Sequence, residues 1–246
     1  FHLDGKRALV TGAGRGIGLA ASQALAQAGA HVTLAARTES QIAAASAQVR
    51  REGGQADFCV LDVADVAATA ATIDRLGPFD ILVNNAGTNR PAAFLDVTPE
   101  DYDAVFATNV RAALFAAQAV ARGLIAAGKQ GSIINISSQM GHVGGEKRTV
   151  YCASKHAMEG FTKAMAMDLA PSGVRVNTIC PTFVETPLTK PFFEDEEFLG
   201  RVLEKIPMGR VGQVDDIVGA VIYLASDASA LVTGSALRVD GGWTAG

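Results

Sequence analysis

Residues 9–20 read LVTGAGRGIGLA, and this stretch decides the fold. An apolar run ends at Thr11, glycines follow at positions 12, 16 and 18, and small and apolar residues then continue. Glycines in this arrangement permit a tight turn, and a helix that begins there directs its free N–H groups at whatever lies against the turn. The stretch therefore predicts a buried strand, a tight turn that receives a pyrophosphate, and a helix. A tight turn without a ligand is the alternative.

Strand-like and helix-like segments alternate along the whole chain. The strand candidates are nearly continuous apolar runs, which is typical of parallel strands buried on both faces. They read RALVTG, HVTLAAR, DFCVLDV, FDILVNNAG, GSIINISS, VRVNTICP and SALRVDGG. The helical stretches span residues 17–28, 40–52, 65–76, 98–127, 150–170 and 214–226. This alternation predicts a doubly wound α/β sheet with helices on both faces, in one domain over residues 1–246.

One segment departs from this rhythm. Residues 183–213 contain three prolines, several aromatic residues and an acidic cluster. The segment follows the C-terminal end of a predicted strand, which is where folds of this kind bind ligands. We therefore expect a substrate loop over residues 183–213.

Composition excludes several classes of function. A net charge of −4 without a long basic run argues against nucleic acid as a partner. No unbroken apolar run reaches the roughly 18 residues that span a bilayer, and the first residues lead straight into a strand. We therefore expect neither a membrane partner nor a signal peptide. Cys59, Cys152 and Cys180 are too scattered for a disulfide framework or a metal site, which predicts buried inert thiols, no metal and a cytoplasmic location.

The end of the second strand bears on the choice of nucleotide. An acidic residue there would bind the ribose 2′-hydroxyl of NAD, but the sequence reads Ala35-Ala36-Arg37. Arg37 and Arg15 offer guanidinium groups, which bind a phosphate well. The sequence therefore favours NADP(H), with NAD(H) as the alternative. Glu39 weakens this argument unless it stabilises the start of the next helix.

Two further strand ends are candidates for contact with a dinucleotide. Asp62 ends the third strand and either accepts a hydrogen bond from an adenine amino group or serves as a helix cap or turn residue. The run NNAG at 84–87 ends the fourth strand, where an Asn amide can tie adjacent strands together. The predicted cofactor-binding residues are Gly12, Arg15, Gly16, Ile17, Gly18, Arg37, Asp62, Val63, Asn85, Ala86, Gly87, Tyr151, Lys155, Pro181 and Val184.

Tyr151 and Lys155 are four positions apart, so they share one face of a helix. A phenol is a poor base at neutral pH, but a nearby ammonium stabilises the phenolate and lowers the pKa of the phenol. Tyr151 would then exchange a proton with a carbonyl or alcohol oxygen that Ser138, just beyond the fifth strand, also holds. A Tyr and Lys at this spacing are equally common on ordinary helix surfaces.

Several motifs together are more specific than this pair. The segments TGAGRGIG, NNAG, ATNV, YCASK and VDGGW occur in this order, with Ser138 between the third and the fourth. In order and spacing they resemble the short-chain dehydrogenase/reductase family over nearly all 246 residues.

The resemblance implies a catalytic tetrad of Asn109, Ser138, Tyr151 and Lys155. In such a tetrad Tyr151 is the acid/base, Ser138 orients the substrate oxygen, Lys155 also binds the nicotinamide ribose, and Asn109 holds a water of a proton relay. From the residues alone, Asn109 is a kink or a satisfied core amide. The resemblance also implies a Rossmann fold with a seven-stranded parallel sheet of order 3-2-1-4-5-6-7, and a homotetramer. Thr182 departs from the Pro-Gly that usually follows the sixth strand in this family.

The residues predicted to contact substrate surround the expected reaction site. They are Ser138, Gln139, His142, Arg148, Tyr151 and Phe183. Their mixture of Gln, His and Arg suggests a small polar substrate, although a solvated loop would also explain His142 and Arg148.

The sequence therefore predicts an oxidoreductase that interconverts a secondary alcohol and a ketone on a sugar acid, polyol or hydroxy acid. It is similar to family members such as gluconate 5-dehydrogenases. A 3-oxoacyl-acyl-carrier-protein reductase is the alternative enzyme, and a non-catalytic nucleotide-binding regulator is a more distant one.

Overall fold

Seven parallel strands form one sheet in the order β3-β2-β1-β4-β5-β6-β7. The computed structural model describes residues 1–187 and 189–246. The strands are β1 (Arg7–Thr11), β2 (His31–Ala36), β3 (Gln55–Val60), β4 (Ile81–Asn84), β5 (Gly131–Ile136), β6 (Val174–Pro181) and β7 (Ala236–Val239). The order turns back at β1 and β4, so the crevice beyond the carboxyl ends of these two strands is the expected ligand site.

Helices cover both faces of the sheet, as the sequence predicts. They are α1 (Gly16–Gln27), α2 (Glu39–Arg51), α3 (Val66–Leu76), α4 (Pro99–Phe106), α5 (Ala113–Ala126), α6 (Thr149–Leu169), α7 (Glu196–Leu203) and α8 (Val214–Ala225). Successive strand residues point to opposite faces, so each strand serves two cores. Val10 packs with α1, α2 and α8, whereas Leu9 packs with α3, α5 and α6.

The edge strands differ from the sequence prediction of burial on both faces. In β3, Phe58 is 38% exposed and Val60 is 52% exposed, whereas every residue of β4 is buried. A strand at the edge of the sheet pairs on one side only, so its apolar side chains receive less cover than those of a central strand.

The predicted helix 98–127 is divided between α4 and α5 by a π-helical stretch, Ala107–Ala112. Thr98 caps α4 by accepting a hydrogen bond from the Asp101 N–H at 3.2 Å. The whole span Pro99–Ala126 is long and apolar enough to cross a membrane by length and composition, but half of its most apolar window is buried within the fold. One such helix is weak evidence for a membrane span, because core helices also pass this test.

The segment 183–213 is more regular than the predicted loop. It contains a 3-10 turn at Lys190–Glu194 and the helix α7, and position 188 lies outside the described residues. Asp195 caps α7 by accepting from the Phe198 N–H at 3.0 Å, and acidic residues occupy the first helical turn, where the helix dipole favours them. The acidic cluster is therefore a helix start, which the sequence analysis missed.

Candidate active site

The glycine turn lies against the end of β4 with no room for side chains. A Cβ atom on Gly12 would lie 2.9 Å from Ala86 Cα, and one on Gly18 would lie 2.4 Å from Asn85 Nδ2. Gly12 also has a positive φ of 64°, which L side chains rarely adopt. The helix α1 that follows has no side-chain cap, so its first N–H groups can serve an anion.

Hydrogen bonds fix the end of β4 to this turn. Thr11 Oγ1 accepts from the N–H groups of Asn85 and Ala86, both at 3.1 Å. The Asn85 amide donates in return to the carbonyl oxygens of Thr11 and Gly12, at 3.0 and 3.1 Å. The predicted role of an Asn amide in tying strand ends together is therefore confirmed, and Thr11 is a partner that the sequence analysis missed.

Both predicted arginines line a cleft beyond these strand ends. Arg15 and Arg37 are exposed, and neither guanidinium group forms a hydrogen bond or ion pair with another described residue. Glu39 lies in the first turn of α2 and does not line the cleft, so it does not replace the missing acid at the end of β2. Asp62 accepts from the Ala64 N–H at 3.0 Å as a turn residue, while Asp65 caps α3.

Lys155 is buried at the reaction end of the cleft. Its ammonium donates to the Ile136 carbonyl oxygen at 2.8 Å, which connects α6 to the end of β5. Nζ lies 5.6 Å from the centre of the Tyr151 ring. Burial lowers the pKa of Lys155 to about 8, although the nearby Cys180 and Glu159 act in the opposite direction.

The electrostatics of Tyr151 correct the sequence prediction. Burial raises the pKa of the phenol, and contact with Ser138 and the charge of Arg148 only partly counter this. The predicted net lowering is therefore wrong for this structure, because loss of hydration outweighs the neighbouring charges. Ser138 Oγ donates to Gln139 Oε1 at 2.7 Å and accepts from the Met140 N–H at 3.1 Å.

Asn109 lies in the π-helical stretch and is fully buried. Its amide donates to the Thr88 carbonyl at 2.9 Å and to Ser154 Oγ at 3.1 Å, and its oxygen accepts from the Thr88 N–H at 2.8 Å. These contacts join the irregular segment after β4 to Ser154 of α6, one residue before Lys155. The reading of Asn109 as a satisfied core amide fits these contacts, and π-helical turns of this kind are frequent at functional sites.

The predicted substrate residues separate into two groups. Gln139, Arg148 and Phe183 line the cleft beside Ser138 and Tyr151, and Arg148 is buried. His142 does not line it, because its ring turns toward β6, with Nε2 3.3 Å from Cys180 Sγ. The expectation of a substrate contact from His142 is therefore corrected.

One cleft of about 770 Å³ connects the two ends of the site. Its lining includes all the predicted cofactor and catalytic residues except Gly18 and Asn109, which lie behind the surface. Gln41, Asn89 and Thr189 also line it, and the sequence offered no motif that selects them. A cleft of this volume is typical of cofactor sites. The glycine turn lets the backbone approach a pyrophosphate, and the two guanidinium groups can bind a further phosphate, so the cleft fits a phosphorylated dinucleotide.

Comparisons with known proteins agree with this geometry. The family model described as Enoyl-(Acyl carrier protein) reductase matches residues 12–244. L-xylulose reductase of Bos taurus is 43% identical over 100% of this chain and 99% of its own, and gluconate 5-dehydrogenase of Gluconobacter oxydans (strain 621H) is 42% identical over 99% and 96%.

A solved structure has the same fold. Gluconate 5-dehydrogenase from Burkholderia cenocepacia J2315, in complex with NADP and tartrate, has a TM-score of 0.95 and is 42% identical, with 100% of this chain and 97% of that chain covered. The chain belongs to the short-chain dehydrogenase/reductase family. It is therefore an oxidoreductase. The strand order 3-2-1-4-5-6-7 that the family resemblance implied is confirmed.

Burial of Lys155 predicts a pH dependence of stability. The pKa of about 8 lies below the ordinary value of 10.5, so between these values the folded protein binds fewer protons than the unfolded chain, and stability rises with pH. From pH 7 to pH 10, we expect the free energy of unfolding of the wild type to rise by about 2 kcal/mol relative to Lys155→Met.

Urea denaturation of both proteins at several pH values measures this difference. Lys163→Met is the matched control, because Lys163 is on the same helix and exposed. A constant difference between the wild type and Lys155→Met across this range would contradict the burial argument.

Proposed function

We propose that this short-chain dehydrogenase/reductase uses NADP(H) to interconvert a ketone and a secondary alcohol on a small polyhydroxylated substrate, such as a ketose, polyol or sugar acid. The observation that carries the proposal is the single cleft that joins the glycine turn to Ser138, Tyr151 and Lys155. The L-xylulose reductase and gluconate 5-dehydrogenase relatives support a sugar-like substrate.

The choice of NADP(H) rests on charge at the adenosine end. Arg15 and Arg37 supply two guanidinium groups to the cleft, and Glu39 is not among its lining residues. A ribose 2′-phosphate carries negative charge that a guanidinium fork binds through paired N–H donors. The relative crystallised with NADP supports this assignment. When bound, the nicotinamide supplies the hydride acceptor or donor.

Tyr151 exchanges the proton with the substrate oxygen. The raised pKa of its phenol keeps it protonated at neutral pH, so it is poised to donate to a carbonyl oxygen during reduction. Ser138 holds the same oxygen once its hydroxyl turns from Gln139. Lys155, fixed by the Ile136 carbonyl, places a positive charge near the phenol and favours the phenolate that oxidation requires. Asn109 acts as a positioning residue for α6 through Ser154.

The wall beyond Tyr151 determines which substrate fits. Gln139 and Arg148 offer an amide and a guanidinium for hydroxyl or carboxylate groups. Phe183 offers an apolar surface, held in edge contacts with Phe193 and Phe198 and in a tilted contact with Trp243. A buried hydrogen-bonding site rejects analogues that lack its partner, which favours a small polar substrate over an alkyl chain.

The matching family model, described as Enoyl-(Acyl carrier protein) reductase, keeps acyl-carrier chemistry as the second candidate. An acidic carrier protein requires basic residues at the cleft entrance. Lys129, one basic candidate, lies before β5 at the opposite edge of the sheet and pairs with Asp80 at 3.2 Å. Arg90 near the entrance pairs with Asp101 at 3.0 Å, which leaves exposed Lys147 and the buried Arg148 as the basic residues that favour a carrier.

We also propose that the protein is a homotetramer in the cytoplasm. Helices α5 and α6 expose Phe115, Ile125 and Met167, and Gly160 of α6 has open space where a Cβ atom would lie. Exposed apolar residues beside small ones allow two helices to pack closely. A monomer in sedimentation equilibrium would contradict the tetramer.

Tyr151→Phe tests the proton role. Removing the hydroxyl deletes the acid/base while the ring stays in place, so we expect kcat to fall by about 10²–10⁴. The Kd for NADPH, measured by fluorescence titration, should change less than about threefold. Tyr102→Phe is the matched control because Tyr102 is half exposed and lies outside the cleft lining. Normal turnover by Tyr151→Phe would exclude the mechanism.

Arg37→Asp tests the cofactor assignment. The substitution removes the guanidinium and adds a carboxylate at the end of β2, which should repel a 2′-phosphate and accept from a 2′-hydroxyl. We expect the ratio of kcat/KM for NADP⁺ over NAD⁺ to fall at least tenfold. Arg51→Asp, at the exposed end of α2, controls for the change in net charge. An unchanged ratio would contradict the 2′-phosphate argument.

A substrate panel separates the two candidate functions. Absorbance of the reduced nicotinamide should fall with ketoses and keto sugar acids, and rise with polyols and sugar acids in the reverse direction. Turnover confined to a 3-oxoacyl thioester would instead assign acyl-carrier chemistry.

A further inference from the structure

A second cluster of reactive side chains lies behind the cleft. His142 ends the 3-10 turn Gln139–Gly141, Glu159 is on α6, and Cys180 is in β6. Glu159 and Cys180 are buried and His142 is half-buried. None of these side chains lines the cleft. The proposed reaction gives this cluster no role.

Its three donor atoms are arranged as ligands of one ion. His142 Nε2 is 3.3 Å from Cys180 Sγ and 3.8 Å from Glu159 Oε1, and Cys180 Sγ is 3.3 Å from Glu159 Oε1. In a tetrahedral zinc site with ligand bonds of about 2.0–2.3 Å, neighbouring donor atoms are roughly 3.3–3.6 Å apart. The two distances to Cys180 Sγ fall in this range, and the distance from His142 Nε2 to Glu159 Oε1 is about 0.2 Å longer than its upper end, so a small shift of the His142 ring would give three corners of a tetrahedron.

Ser137 and Gly141 lie beside the three donor atoms. Ser137 Oγ is buried without a hydrogen-bond partner among the described residues, lies in contact with the Cys180 thiol and also lines the reaction cleft. Burial and the charge of Glu159 raise the pKa of that thiol to about 12, so a bound cation must displace its proton. A Cβ atom on Gly141 would lie 3.1 Å from both Ser137 Oγ and Glu159 Cγ. The glycine therefore lets the segment that carries His142 close over Glu159, and Ser137 offers an oxygen for the fourth position.

We propose that His142, Glu159 and Cys180, which lie behind the lining of the reaction cleft, form a binding site for a zinc-type divalent cation. Imidazole, carboxylate and thiolate are the ligands that zinc prefers. Thr178 supports the site by donating to the free oxygen of Glu159, Oε2, at 2.9 Å, as ligating carboxylates commonly require.

The thiolate is essential to this site. Arg238, His156 and Lys163 lie near His142, so positively charged groups already surround the imidazole. A divalent cation then needs both anionic ligands. On binding, the Cys180 sulfur forms the metal bond and its proton passes to solvent, without any change of oxidation state. The exposed edge of His142 leaves a route for the ion.

Metal-stripped, untagged protein dialysed against zinc, without substrate or nucleotide, tests the proposal by elemental analysis. Cobalt is the optical probe, because a cobalt–thiolate bond produces a near-ultraviolet charge-transfer band. We expect one zinc per chain and this band in the wild type. Cys180→Ser and His142→Gln should bind zinc at least tenfold more weakly.

Cys59→Ser and Cys152→Ser are the matched controls, because both thiols lie outside the cluster, and both variants should bind normally. Circular dichroism and NADPH binding establish that each variant folds, and His142→Gln keeps the test decisive if the buried Cys180→Ser does not. No zinc in the wild type, full binding by folded Cys180→Ser or His142→Gln, or loss in Cys152→Ser would each overturn the proposal. Because the readout is metal content, it is independent of the proposed enzymatic activity.

Discussion

The close approach between the turn after β1 and the end of β4 is the constraint on which the cofactor end of this fold depends. Gly12 and Gly18 leave no space for a Cβ atom against Ala86 and Asn85. Thr11 and Asn85 then tie the two strand ends with four hydrogen bonds. A side chain at either glycine would force these strands apart at the point where the sheet order reverses. The crevice that Arg15 and Arg37 line lies directly beyond this contact.

The reaction end rests on a different and less favourable interaction, the burial of the Lys155 ammonium. Its bond to the Ile136 carbonyl offsets part of the lost hydration, yet its pKa still falls to about 8. A neutral side chain in its place would avoid the cost of burying an ammonium, so the charge of Lys155 lowers the stability of the fold. Such a group is expected where chemistry requires a cation close to a phenol, because enzymes commonly accept local instability at their active sites.

Much of the fold and most of the site follow from the sequence, because they depend on local patterns. The apolar runs, the helix starts and the four-residue spacing of Tyr151 and Lys155 are short-range signals. Burial and side-chain orientation depend on residues that are distant in sequence, and the wrong predictions for Tyr151 and His142 concern these two properties. The pKa of Tyr151 rises because distant segments exclude water, and the ring of His142 turns away from the cleft toward β6. No local pattern records that Cys180 lies beside residues 142 and 159.

Helix α6 connects the two sites, because one buried face of it carries polar groups at four-residue intervals. Tyr151 faces the cleft, Lys155 bonds to the end of β5, and Glu159 bonds to Thr178 of β6. Thr162 continues this face by accepting from Asn135 of β5 at 2.8 Å. Apolar contacts alone would let a helix slide along the sheet at little cost, since they lack direction. Directional bonds to two strands fix the axial position of α6, and hence the distance of the Tyr151 phenol from the crevice. A ligand that engages Glu159 therefore acts on the same rigid element that places the Tyr151 phenol.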